Sequence, residues 1–92
     1  MSRAAVALTI RGMVQGVGYR YFCYREALSL ALVGWVANRS NGTVEAVVEG
    51  DKEHILDLIS RLRQGPFGAH VTEIGEQWSD ATGEFTAFTI ER

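Results

Sequence analysis

Three glycines and an arginine fall close together near the start of the chain, in Gly12-Met13-Val14-Gln15-Gly16-Val17-Gly18-Tyr19-Arg20. Glycine lets a backbone take positive φ and come close to a ligand. A tight loop feeding a helix N-terminus turns several N–H groups towards one point, and such a point attracts anions. Arg20 adds a planar fork of five donors that matches phosphate or carboxylate. The chemistry on offer is therefore the grip of an anionic group. On the glycines alone, a glycine-rich turn followed by a solvated arginine is the weightier reading, because a lone Gly-rich loop is a weak signal. Asn38 is a second polar group, set on an apolar strand just before a turn. Taken alone, turn initiation accounts for it.

Other chemistries lack their residues. No Gly-x-x-x-x-Gly-Lys-[Ser/Thr] run occurs, so no P-loop nucleotide site is expected. His54 and His70 are the two histidines and have no ligand partners at metal spacing, so both are read as surface residues and no metal is expected. No serine or cysteine stands in a recognisable nucleophile pattern with a histidine. Cys23, the single cysteine, lies among apolar residues of a predicted helix and reads as a buried structural thiol in a reducing compartment.

The elements that would position the loop follow from periodicity. Val6, Leu8 and Ile10 share one face of a strand over about Ala5–Ile10, with Ala5, Ala7 and Thr9 on the other. A helix is expected from Tyr21 to about Leu30, with Cys23, Ala27 and Leu30 inward and Phe22 beside them. Tyr21, Tyr24 and Leu28 form a second apolar stripe, read as scattered surface aromatics in preference to a partner surface. Val33–Arg39 is the second strand, with Val36 and Asn38 on one face and Trp35 and Ala37 on the other. Ser40-Asn41-Gly42 signals a hairpin, so Thr43–Glu49 is the third strand, with Val44, Ala46 and Val48 in and Glu45 and Glu49 out.

Asp51 is the expected N-cap of a second helix carrying Ile55, Leu58, Ile59 and Leu62 on one stripe, and Gly65-Pro66 stops it. Val71–Trp78 is a fourth strand, Asp80–Gly83 a turn, and Phe85–Glu91 a short last strand with broken alternation. The order β-α-β-β-α-β plus a terminal strand predicts an α+β, ferredoxin-like split βαβ fold: an antiparallel sheet with two helices on one face. In that fold the first and third strands are neighbours and the second pairs with the third. Asn38, near the end of the second strand, can then approach the first crossover loop.

The 92 residues, 47% hydrophobic and 22% charged, predict one globular domain over 1–92. A formal net charge of -2 gives no basic footprint for nucleic acid. No apolar run is long enough for a signal peptide or a membrane span, so a soluble, cytoplasmic protein is expected.

Gly12 to Arg20, then Gly34-Trp35-Val36-Ala37-Asn38, then Gly42-Thr43-Val44-Glu45, strongly resemble the acylphosphatase family. The resemblance continues through Glu49-Gly50, Gly65-Pro66 and Phe88-Thr89-Ile90 and so covers nearly the whole chain. It implies the same ferredoxin-like fold and hydrolysis of the carboxyl-phosphate bond of small acyl phosphates without metal or cofactor. It implies that Arg20 binds the phosphate, that Asn38 positions the attacking water, and that the amides of Gln15, Gly16, Val17, Gly18, Tyr19 and Arg20 cradle the phosphoryl oxygens. The implied protein is a monomer acting on a small molecule, with no nucleic-acid or membrane partner.

Four residues depart from the family pattern. Met13 and Ala37 stand where basic residues are common, which implies a less positive pocket. Gly18 stands where a bulkier side chain is frequent, which implies a looser loop. Ala31 replaces a glycine usual at the helix end; since alanine forms helices well, it is expected to stay helical. Two other functions compete. One is a non-catalytic phosphate-binding module of the same fold. The other is a sheet-based RNA binder, disfavoured because the first strand offers Ala5, Ala7 and Thr9 where exposed aromatics would be needed. The family's unit within a larger hydrogenase-maturation protein is disfavoured by the lack of further domains.

Overall fold

The computed structural model describes residues 2–91. The elements are β1 (Arg3–Met13), α1 (Tyr19–Ser29), β2 (Val33–Asn38), β3 (Val44–Asp51), α2 (Lys52–Gln64), β4 (His70–Ser79) and β5 (Phe88–Glu91). The strands form one sheet in the order β4-β1-β3-β2-β5. β1 is antiparallel to β3 and β4, and β2 is antiparallel to β3. This is the ferredoxin-like arrangement, with one correction. β5 runs parallel to β2, so the sheet is mixed. β5 is also shorter than expected, because Phe85–Ala87 stay outside it and pairing begins at Phe88.

The inward face of the sheet is the one the alternation predicts. Leu8 pairs with Ala46 and Ile10 with Val44, while Val36 faces Ala46 from the other side. These residues are buried with Cys23 and Ala27 of α1 and with Ile55, Leu58, Ile59 and Leu62 of α2. Burial pushes the Cys23 thiol up to about 12, so it stays protonated at neutral pH, as a structural thiol should. Asp51 caps α2 by accepting a hydrogen bond from the Glu53 N–H at 2.9 Å, and Gly65 ends the helix at φ +67°.

The end of α1 differs from expectation. The helix stops at Ser29, and Ala31 takes φ +57°, in the left-handed region. Leu32 N–H donates to Ala27 C=O and Ala31 N–H to Leu28 C=O, the two bonds of a Schellman ending. Leu32 is buried in the core, and that burial holds the turn despite the strain on Ala31. Tertiary packing here outweighs helix propensity. Ala31→Gly should therefore raise stability by about 1 kcal/mol, read as a higher midpoint of denaturant unfolding with an unchanged slope.

Glu49 is a second correction. Glu45, expected to face outward with it, does so and pairs with Arg39. Glu49 is only 1% exposed. β4 and β5 lie at opposite edges of the sheet, so the chain between them has to cross. The crossing segment passes over Glu49. The carboxylate accepts from the Thr82 N–H and hydroxyl, at 3.1 and 2.7 Å, and from the Gly83 N–H at 3.1 Å. Alternation gives the face of the sheet but not what later chain covers it.

The bonds from Thr82 and then Gly83 hold the Glu49 carboxyl below its ordinary value of 4.5, against the opposing effect of burial. A depressed carboxyl contributes stability that is complete above the unfolded-state value and is lost as pH falls through the folded one. Glu49→Gln should destabilise the fold by about 2 kcal/mol at neutral pH, because its NH2 meets donors. It should also flatten the loss of melting temperature below about pH 4.5.

Candidate active site

The loop between β1 and α1 is the expected glycine-rich crossover, but the helix begins two residues early, at Tyr19. Gly18 is its N-cap at φ +75°, and Gly16 sits at φ +77°. An added Cβ at either position would meet nothing within 4 Å, so it is backbone conformation and not crowding that calls for glycine. Gly18 thus forms a left-handed cap at the helix start. The first intrahelical bond runs from Phe22 N–H to Gly18 C=O at 3.0 Å. The N–H groups of Tyr19, Arg20 and Tyr21 therefore have no intrahelical partner and point out of the helix start.

Three bonds fix the loop and helix start. Tyr19 is buried, and its hydroxyl donates at 2.7 Å to Leu62 C=O, a carbonyl in the last turn of α2. Burial, with Cys23 nearby, pushes that hydroxyl well above the ordinary phenol range, so it remains a donor. Gln15 Nε2 donates to Arg39 C=O at 2.8 Å and Thr43 C=O at 2.9 Å. One carboxamide thus clamps the loop onto the β2–β3 hairpin. The sequence reading used only the Gln15 backbone and missed this clamp. Its signal was a long amide in a glycine-rich loop.

Asn38 does not initiate the hairpin turn. Asn41 does, its Oδ1 accepting from Thr43 N–H at 3.1 Å and Thr43 hydroxyl at 2.7 Å. Asn38 Oδ1 is buried and has no hydrogen-bond partner among the described residues. A buried acceptor left unpaired costs free energy unless water or a ligand serves it.

Val14, Gly16, Gly18, Tyr19, Arg20, Tyr21, Asn38 and Ile90 line one cleft of about 420 Å³. The structure thus brings Gly16, Gly18, Tyr19, Arg20 and Asn38 together. Gln15 and Val17 do not line it; Val17 packs against the core. Met13 and Ala37, the expected sources of a weaker pocket, also stay out of the lining, Met13 being exposed at the end of β1 and Ala37 buried. Arg20 Nη1 donates to Glu91 C=O at 3.4 Å, which ties the guanidinium to β5 and leaves its other N–H groups available. Among the described residues no carboxylate lines the cleft, and no three His, Cys, Asp or Glu side chains gather as a metal site. Such a donor set can hold a tetrahedral anion and one water. No helix among the described residues is long and apolar enough to cross a membrane.

Fold and cleft together define a ferredoxin-like protein with a donor-bearing cleft at its first crossover. Comparison with known proteins narrows the class. The family model for acylphosphatase matches residues 6–90. The acylphosphatase of Pelotomaculum thermopropionicum is 44% identical over 90 residues, covering 98% of each chain. That of Moorella thermoacetica is 45% identical over 86 residues, 94% of this chain and 92% of its own. The crystal structure of acylphosphatase from Bacillus subtilis superposes with a TM-score of 0.94 at 32% identity, covering 97% of this chain and 99% of that one. The chain belongs to the acylphosphatase family.

Proposed function

We propose that this chain, as one acylphosphatase unit over residues 1–92, hydrolyses the carboxyl-phosphate bond of small acyl phosphates without a metal ion or cofactor. The observation that carries the reading is the meeting, in one cleft, of the α1 N-terminus, Arg20 and Asn38, whose carboxamide makes no side-chain hydrogen bond through its oxygen among the described residues. The amides at Gly16, Gly18, Tyr19 and Arg20 and the guanidinium bind the phosphoryl oxygens, and the helix dipole adds to the attraction. The Asn38 carboxamide, on the wall of the cleft, holds a water and turns its lone pair towards phosphorus.

Attack forms the new P–O bond as the bond to the carboxylate oxygen breaks. The carboxylate leaves with the electron pair, and the water's proton passes to a phosphate oxygen. Because a carboxylate is a good leaving group, no general acid is required, which fits a cleft lined without one. The catalytic work is positioning plus stabilisation of charge on the equatorial oxygens. Such an enzyme works as a monomer in the cytoplasm and needs no nucleic acid or membrane.

Steady-state hydrolysis of an aromatic acyl phosphate tests this. Activity should persist in excess chelator, and inorganic phosphate should inhibit competitively because it occupies the same donors. Activity lost to chelator and restored by a divalent ion would refute the metal-free reading. Phosphate binding with no turnover would leave a binding module instead.

A further inference from the structure

Tyr21 and Ile90 line the same cleft yet have no part in gripping the phosphoryl group through their side chains. Both are large and exposed, at 58% and 39%. An exposed tyrosine alone needs no explanation. Two such residues on the wall of the cleft that holds Arg20 call for one. Tyr21 follows Arg20 on α1, and Ile90 precedes Glu91, whose carbonyl holds Arg20.

We infer that Tyr21 and Ile90 form a shelf for the acyl group, making this chain selective for acyl phosphates with an aromatic or bulky apolar acyl part over short ones. The inference rests on the phosphoryl site proposed above and adds what receives the other end of the substrate.

The shelf is braced. The Tyr21 ring stacks on Tyr24 with centroids 6.2 Å apart and planes at 28°. Tyr24 in turn meets Phe88 at 6.5 Å. Phe88 is buried in the core two residues before Ile90 on the same strand. This chain of rings ties both halves of the shelf to the core, so little ordering entropy is left to lose on binding. The cleft, about 420 Å³, lies in the range of roughly 300–1,000 Å³ that holds whole small molecules. The acyl group is joined to the phosphoryl group through a single bridging oxygen, so whatever binds the one in this cleft places the other beside its walls. The apolar stripe of Tyr21, Tyr24 and Leu28 on α1 thereby acquires a use at its N-terminal end.

Two paired measurements on the full chain test the shelf. The first compares kcat/KM for benzoyl phosphate and acetyl phosphate, whose carboxylates leave with similar ease. Withdrawing about 60 Å² of apolar surface from water gives roughly a tenfold preference for the benzoyl compound. Tyr21→Ala and Ile90→Ala should each reduce that ratio severalfold, chiefly through KM for benzoyl phosphate, and Tyr21→Phe should keep it. The second compares binding of phenylphosphonate and methylphosphonate to the same proteins, which needs no turnover. The phenyl compound should bind more tightly, and Tyr21→Ala should remove most of the margin. A ratio near one in the native protein, or a ratio unchanged in both alanine variants, overturns the shelf. If neither acyl phosphate is hydrolysed but the phenyl margin depends on Tyr21, the enzymatic reading fails and the shelf stands. If neither phosphonate binds, the shelf falls with the anion site.

Discussion

Asn38→Ala should lower kcat by about 10²-fold or more while KM and inhibition by phosphate stay close to native. The water that Asn38 aims matters on the way to the transition state and contributes little to holding the ground-state dianion. In the free protein Asn38 Oδ1 has no partner among the described residues, and the hairpin turn is fastened by Asn41. Removing a buried acceptor that nothing serves is close to neutral for stability. The variant should therefore melt near the native temperature, which separates lost catalysis from lost fold. A folded Asn38→Ala protein with native kcat would reduce Asn38 to a strand residue.

Arg20→Lys should cost roughly 10²–10³-fold in kcat/KM, or about 3–4 kcal/mol of transition-state stabilisation. Lysine keeps the charge but not the fork. Arg20 spends one N–H on Glu91 C=O and still presents a planar edge to the cleft. An ammonium ion in its place cannot hold β5 and make two parallel bonds to phosphate. Both kcat and KM should suffer, in contrast to Asn38→Ala. Near-normal kinetics in Arg20→Lys would mean that another group binds the phosphoryl oxygens.

Much of the fold was legible because local signals and the global arrangement agree. The alternation of Val6, Leu8 and Ile10, the stripe from Ile55 to Leu62 and the Asn41-Gly42 turn all point to the same sheet and helices. The candidate site was legible in its backbone, since glycines mark where φ must be positive. It was legible in Arg20 and Asn38 as well, although their roles came from family resemblance and not from spacing.

What stayed hidden depends on chain arriving from far away. Nothing local to Glu49 says that Thr82 and Gly83 will cover it. Nothing local to Gln15 says that two hairpin carbonyls lie within reach. Ala31 misled because its propensity is helical, while the burial of Leu32 sets the turn. β5 was over-extended because the alternation around Phe85 is broken, and its parallel pairing follows from a crossing between sheet edges that no local pattern encodes.

The proposed chemistry requires that the start of α1 and Arg20 hold the phosphoryl group. An NMR titration of the full chain with inorganic phosphate tests this most directly, residue by residue. Saturable shifts should concentrate at the amides of Gly16 to Tyr21 and at the Arg20 side chain, with the β4 amides unmoved. Shifts confined to another surface, or none at concentrations that inhibit hydrolysis, would contradict it.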